Sequence, residues 1–325
     1  MDVAAFCGES RVVAVAGKGG VGKTTVAAAL AKTAAMAGLS VLVVELEGRS
    51  GIAAAFGSAD TLEYDGSVLL NGDVGANGEV RGRRLTPDDA LLEYLADHGL
   101  QRVSKRLVSS GMVDVVATAI PGIRDVLVLG KVKALERDRV ADLIVVDAPA
   151  TGHAVTFLTS ASGLLDAARS GPVRSQAAEV VELLQDPSRC RVLLVTLAEE
   201  MPVSETIEAA YLLEDRAGVQ LGPVVVNGWN PPPTGLSTDT ATAADACGVV
   251  LSGAQVTALE AARAFRLGRH HLAAAQVARL GRDLPLPQLR IPALDAPAIG
   301  PTELDALARA LAAGVAGLVP ATGAA

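Results

Sequence analysis

One octapeptide constrains this chain more than any other feature: Gly17-Lys18-Gly19-Gly20-Val21-Gly22-Lys23-Thr24, continued by Thr25. It follows an apolar run at residues 12–16 and opens a helical pattern that reaches about residue 37. The spacing G-x-x-x-x-G-K-[ST] suits a loop that wraps phosphate, because glycine lets backbone N–H groups come close to anionic oxygens where a side chain would block them. The helix that follows points its unsatisfied N–H groups and the positive end of its dipole at the same place. Lys23 adds a point charge for the β and γ phosphates, and Thr24 offers a hydroxyl to Mg²⁺. Lys18 is not required by this pattern, and its position leaves two readings open, a solvated loop lysine or a second phosphate contact.

The order strand, loop, helix then repeats. Apolar runs at 12–16, 41–44, 143–146, 192–195 and 224–226 are rich in β-branched residues and lack polar alternation, as strands buried on both faces do. Helical patterns separate most of them, so the expected architecture is α/β, a P-loop fold with a largely parallel sheet flanked by helices and ligands at the carboxyl edge. The segment between the second and third runs reads differently. Residues 67–70 and 79–85 flank a glycine-rich turn at 71–78 and predict an edge hairpin. Thr86-Pro87-Asp88-Asp89 is a helix start, with a capping hydroxyl, proline at the first helical position and acids at the positive dipole end. Helices are expected through 91–96, 102–108 and 123–136. The reading is one domain over 1–325, with a nucleotide-binding core at 10–60 and 140–325 and an inserted hairpin and helical subdomain at about 61–139. Alanine-rich helices over 240–280, a strand near 286–291 and a terminal helix over 302–315 complete the chain. Leu304, Leu307 and Leu311 lie on one face of that last helix, which predicts core packing.

Composition narrows the function. Aromatics make up only 2% of 325 residues, so the core must be aliphatic. The formal charge is −8 with no long basic cluster, which argues against nucleic acid as a partner. The stretch 310–325 is free of charge but short, glycine-rich and broken by Pro320, so no transmembrane segment is expected. The first residues carry Asp2 and Glu9 and lead straight toward a strand with no basic start and apolar block, which predicts a cytoplasmic location. Cys7, Cys190 and Cys247 are too widely spaced for a zinc site or a disulfide framework.

Asp147 follows the run 143–146 and so stands at a strand end facing the phosphate loop, where a Mg²⁺-nucleotide site needs an acid. Taken with this acid, K-G-G-V-G-K-T-T resembles the deviant Walker A loop of dimeric ATPases, among them cell-division positioning, plasmid-partition, nitrogenase iron-protein and arsenite-pump families. Asp147-Ala148-Pro149-Ala150-Thr151-Gly152-His153 is similar to the D-T-A-P-T-G-H loop of the ArsA-type ATPases, which include the arsenite-pump ATPase and the eukaryotic targeting factor for tail-anchored membrane proteins. Pro121-Gly122-Ile123-Arg124-Asp125 resembles that family's P-G-I-D-E, and Leu194-Val195-Thr196 with Pro202 its strand and helix after the second switch. The ending Val225-Val226-Asn227 resembles its V-V-N, and Ile291-Pro292 its proline loop. The resemblance covers most of the chain and extends most fully to bacterial, often actinobacterial, paired proteins described as anion-transporting ATPases.

What the resemblance implies is an ATPase binding ATP or ADP with Mg²⁺. Lys18 then reaches nucleotide phosphate across a subunit interface, so the chain works as a homodimer or as a heterodimer with a paralogous ATPase, serving an unidentified protein client. Asn227 reads the adenine edge and Pro292 closes over the base, although an asparagine at a strand end also suits a turn. The family's D-P-A-H, whose aspartate orients the attacking water, is replaced here by Glu47-Gly48-Arg49-Ser50. Glutamate can polarise water, but its extra methylene shifts the carboxylate by more than about 1 Å, so slow hydrolysis is expected, with a low-activity regulatory subunit as the alternative. Glu47 also reads as a structural cap. Arg49 faces either phosphate, a partner's acid or solvent, and His153 either relays or faces solvent. The arsenite pump's clustered cysteines and the targeting factor's C-x-x-C pairs and methionine-rich groove have no counterpart in this sequence.

Overall fold

The computed structural model describes residues 1–46, 51–72, 78–97, 99, 102, 122–231 and 233–318. Glu47, Arg49, residues 73–77 of the expected glycine-rich turn, residues 103–108 of the helix expected over 102–108 and the tail from 319 lie outside the described residues.

Among the described residues nine strands form one sheet: β1 (Val12–Gly17), β2 (Val41–Leu46), β3 (Ser67–Leu70), β4 (Val80–Leu85), β5 (Leu143–Ala150), β6 (Cys190–Leu197), β7 (Gln220–Leu221), β8 (Val224–Trp229) and β9 (Gln288–Pro292). Their order is β3-β4-β2-β5-β1-β6-β8-β9, with β7 beside β6. Every pairing is parallel except β3 with β4, the expected edge hairpin. The chain leaves β1 toward β2 on one side and later returns to β6 on the other, which opens a crevice at the carboxyl ends of the central strands.

The sheet is covered on both faces because its strands are apolar on both. On one face Val13, Val15, Val43 and Val145 pack under α1 (Val3–Gly8), α2 (Lys23–Met36), α3 (Ile52–Ala55) and, further along, α11 (Pro301–Ala316). On the other, Ala14, Val44, Val146 and Leu194 pack under a second layer, to which α4 (Pro87–Asp97) adds a small satellite cluster on α5 (Ile123–Arg137). That layer comprises α5, α6 (Thr151–Ala167), α7 (Pro172–Gln185), α8 (Glu200–Ala217) and the end of α10 (Gly253–Asp283). Alanines 27, 28, 29, 31, 34 and 35 of α2 are all fully buried. Small side chains let this helix lie close to the sheet, and a poor hydrophobic stripe is no obstacle when nearly the whole helix is enclosed.

Three departures from the sequence reading have physical causes. The chain does not run straight into β1: Asp2 accepts a hydrogen bond from the Ala5 N–H at 3.2 Å and starts α1, which buries Phe6 and Cys7. The stretch after Asp147 is not a loop, since β5 continues through Pro149 to Ala150 and α6 begins at Thr151. The register slips there, with Val15 opposite Asp147 but Gly17 opposite Ala150. Such an irregularity accommodates a proline that has no N–H for the ladder. The alanine-rich segment divides into α9 (Thr240–Ala246) and α10, separated where Gly248 takes φ +66° and Ser252 forms a capping box with Gln255. α11 matches its expectation, with Leu304, Leu307 and Leu311 each 2% exposed or less. No helix among the described residues is long and apolar enough to cross a membrane.

Candidate nucleotide site

β1 ends at Gly17 in the centre of the carboxyl edge, and α2 begins at Lys23. A Cβ on Gly17 would stand 2.3 Å from the Val195 carbonyl oxygen, so only glycine lets the loop leave the sheet here. Gly22, the N-cap of α2, has φ +86°, and a Cβ on it would lie 2.3 Å from the Asn227 amide nitrogen. No side chain caps α2 and its first turn holds no acid. The N–H groups of that turn are therefore offered to an anion.

Side chains converge on this cradle from three elements, α2, β5 and β8. Lys23 is 5% exposed and its ammonium donates to the Lys18 carbonyl at 2.9 Å, folding the loop over its own base. The Thr24 hydroxyl donates to Asp147 Oδ2 at 2.6 Å, joining α2 to a fully buried carboxylate on β5. Gly19 and Gly20 are exposed, Val21 is buried, and Thr25 is half-buried beside Gly22. Asn227 on β8 donates from Nδ2 to the Val21 carbonyl at 2.8 Å, which pins the loop from the side. Lys18 contributes only its backbone to the cradle in the single chain. Its ammonium pairs with Glu205 of α8 at 2.5 Å, both side chains about one third exposed. Pro292 ends β9 opposite Trp229. His153 is exposed near the start of α6, and burial pushes the carboxyl of Asp125 up against the opposing charges of His153 and Arg124.

Sequence reasoning missed Glu45. It is 1% exposed in β2, in register between Arg84 of β4 and Asp147 of β5. Burial raises its pKa, the Ile52 and Gly51 amides oppose that shift, and the charge of Asp147 adds to it. Its Oε1 accepts from the N–H of Gly51 at 3.0 Å and of Ile52 at 3.3 Å. The missed signal was a carboxylate inside an otherwise apolar strand, a placement that demands hydrogen-bonded compensation. Also missed was a cavity of about 400 Å³ next to Asn227, bounded by Trp229, Arg266, Arg269, His270 and Asp295. The Arg290 guanidinium lies 5.0 Å over the Trp229 ring.

The residues present fit a magnesium nucleoside triphosphate. Loop amides and Lys23 lie where phosphates would sit, and two hard oxygen donors, Thr24 and Asp147, meet at the side where Mg²⁺ would take oxygen ligands. Cradle, buried lysine and acid on the neighbouring strand together define a P-loop nucleoside-triphosphate-binding fold. Residues 10–168 match the family model described as anion-transporting ATPase. ATPase BagA of Mycobacterium tuberculosis is 41% identical over 226 residues, 67% of this chain and 64% of that protein. Arsenical pump-driving ATPases of Escherichia coli and Acidiphilium multivorum are each 28% identical, again over 67% of this chain but 35% of their own length. The chain thus spans less than two thirds of the length of the relatives it matches. Over the matched part the chain is similar to ArsA-type ATPases, with higher identity to the mycobacterial protein than to the arsenical pump-driving ones.

Proposed function

We propose that this chain binds Mg-ATP, hydrolyses it slowly, and works as a dimeric switch that couples nucleotide state to a protein partner or client in the cytoplasm. The observation that carries the reading is the Thr24–Asp147 contact at the foot of a glycine cradle already closed by Lys23 and Asn227. Bound magnesium supplies charge neutralisation and a template for the phosphates. Everything else falls to the chain. The loop amides and Lys23 hold the phosphate oxygens, Thr24 and Asp147 hold the metal, and Glu47 orients water. Asn227 and Pro292 take the base, with the cavity beside Trp229 as its continuation. Lys18 is the residue that makes the unit a dimer. Its side chain, held by Glu205 at the surface, is placed to exchange that partner for a phosphate presented by an opposing subunit.

The substitution of Glu47 for the family aspartate favours a second reading, a regulatory subunit that binds nucleotide but turns over only beside a paralogous ATPase. A component of an arsenite pump has less support. Cys7 and Cys190 are buried on opposite faces of the sheet, burial pushing their thiols up to about 11 and about 12, while Cys247 is exposed. Metalloid capture needs neighbouring thiolates.

Mg-dependent turnover of the wild type, Lys23→Ala and Glu47→Gln tests the first reading. Lys23→Ala should lose both binding and rate, and Glu47→Gln should keep binding and lose about 10²-fold in kcat. Equal rates in all three would reject the assignment. Binding without turnover in the wild type, relieved on mixing with a native partner, would favour the second reading.

A further inference from the structure

We propose that Glu45 is a positioning residue for the metal side of this site: it holds the Gly51–Ile52 backbone against Thr24 and thereby keeps the Thr24 hydroxyl on Asp147. The proposal rests on the reading of Thr24 and Asp147 as the magnesium side.

A carboxylate in a strand buried on both faces is retained only where its oxygens are bonded, and Glu45 meets this with two amides on one oxygen. Those amides belong to Gly51 and Ile52, and Gly51 is packed against Thr24. A Cβ at Gly51 would stand 2.7 Å from the Thr24 methyl. Gly51 has φ −98°, a value open to any residue, so its smallness answers to this contact and not to backbone strain. Thr24 is thus held from two directions, by Asp147 through its hydroxyl and by Gly51 at its methyl. Glu45 fixes the second of these while lying in register with the strand that carries the first. Arg84 on the far side of Glu45 offsets part of the charge gathered in this row. Glu45 touches neither phosphate nor metal in this arrangement, and it acts through Gly51 and Thr24.

Calorimetric binding of ADP, with Mg²⁺ and with EDTA, tests the proposal on the wild type, Glu45→Ala, Glu45→Gln and Gly51→Ala. Hydrogen exchange at residues 51 and 52 in nucleotide-free protein is a second readout. Glutamine keeps the acceptor oxygen, so Glu45→Gln should retain the magnesium enhancement of ADP affinity. Glu45→Ala should lose about 10-fold of it while its affinity in EDTA stays at the wild-type value, in line with other residues that orient metal ligands. Gly51→Ala should show the same loss without touching Glu45, because it displaces Thr24 directly. The amides at 51 and 52 should exchange faster in Glu45→Ala only. A wild-type magnesium ratio in Glu45→Ala and Gly51→Ala would overturn the positioning role, even where melting temperatures fall, and would leave the nucleotide site standing. Absence of any magnesium effect in the wild type itself would overturn both.

Discussion

Gly22 shows how much of the site depends on one missing methyl group. It combines a left-handed φ with a neighbour, Asn227, that leaves no space for a side chain. Gly22→Ala is expected to cost about 1–3 kcal/mol, measurable by urea unfolding, and to abolish nucleotide retention, because relief of the clash requires the loop to leave Asn227. Lys18 is the opposite case. Its pair with Glu205 is part-exposed and so is worth at most about 1 kcal/mol to the fold. Glu205→Gln should leave unfolding nearly unchanged yet lower the protein concentration at which a nucleotide-dependent dimer forms in sedimentation experiments. An unchanged dimerisation midpoint would contradict the exchange of partners assigned to Lys18. The sequence points to the glycine loop at 17–24 and to Asp147, which the structure brings together, because both follow from local spacing. It does not disclose Glu205, which is 187 positions away from Lys18. Glu45 was legible in principle, but a rule that ends buried strands at the first charge stops β2 at Val44, whereas the Gly51 and Ile52 amides let it continue to Leu46.

At the level of elements, α11 holds α2 in place and so holds the helix whose N-terminus closes the glycine cradle. Leu304, Leu307 and Leu311 pack with the alanines of α2, and the Thr33 hydroxyl lies 3.1 Å from the Ala308 carbonyl. Leu307→Ala should destabilise the fold by about 2–5 kcal/mol, read from the urea midpoint at constant slope, because the small side chains of α2 cannot move in to fill the gap. A loss below about 1 kcal/mol would mean that the helix is peripheral. The long helices and central strands were legible because their apolar patterns run for several turns or residues. The ends were not. Proline inside β5 and the short capped helix α1 each run against the single-sequence rules, and each is decided by a contact, a register slip in one case and the Asp2 cap in the other.

The whole molecule is a sheet whose two cores keep its cysteines apart, and this gives a test of the fold independent of nucleotide. With thiols pushed up to about 11 and about 12, Cys7 and Cys190 hold almost no thiolate at pH 8, and their reactivity should appear only as pH rises toward those values or as the chain unfolds. A thiol reagent at pH 8 should therefore modify Cys247 alone in native protein and three cysteines in denaturant. Rapid native modification of Cys7 or Cys190 would contradict the packing. The largely parallel pairing of the strands could be read from the alternation of strands and helices. The placement of β4 between β2 and the edge strand β3 could not, since nothing in a hairpin sequence states which neighbour it joins. Most of the account rests on occupancy of the cradle between Gly17 and Asp147, and equilibrium dialysis of ATP with Mg²⁺ measures this directly. The wild type should retain ATP, and at 100-fold excess over Kd that retention should add about 2.7 kcal/mol of stability. Lys23→Ala, still folded, should retain none. Folded wild-type protein that holds no adenine nucleotide, or holds it no better than Lys23→Ala, would contradict the account.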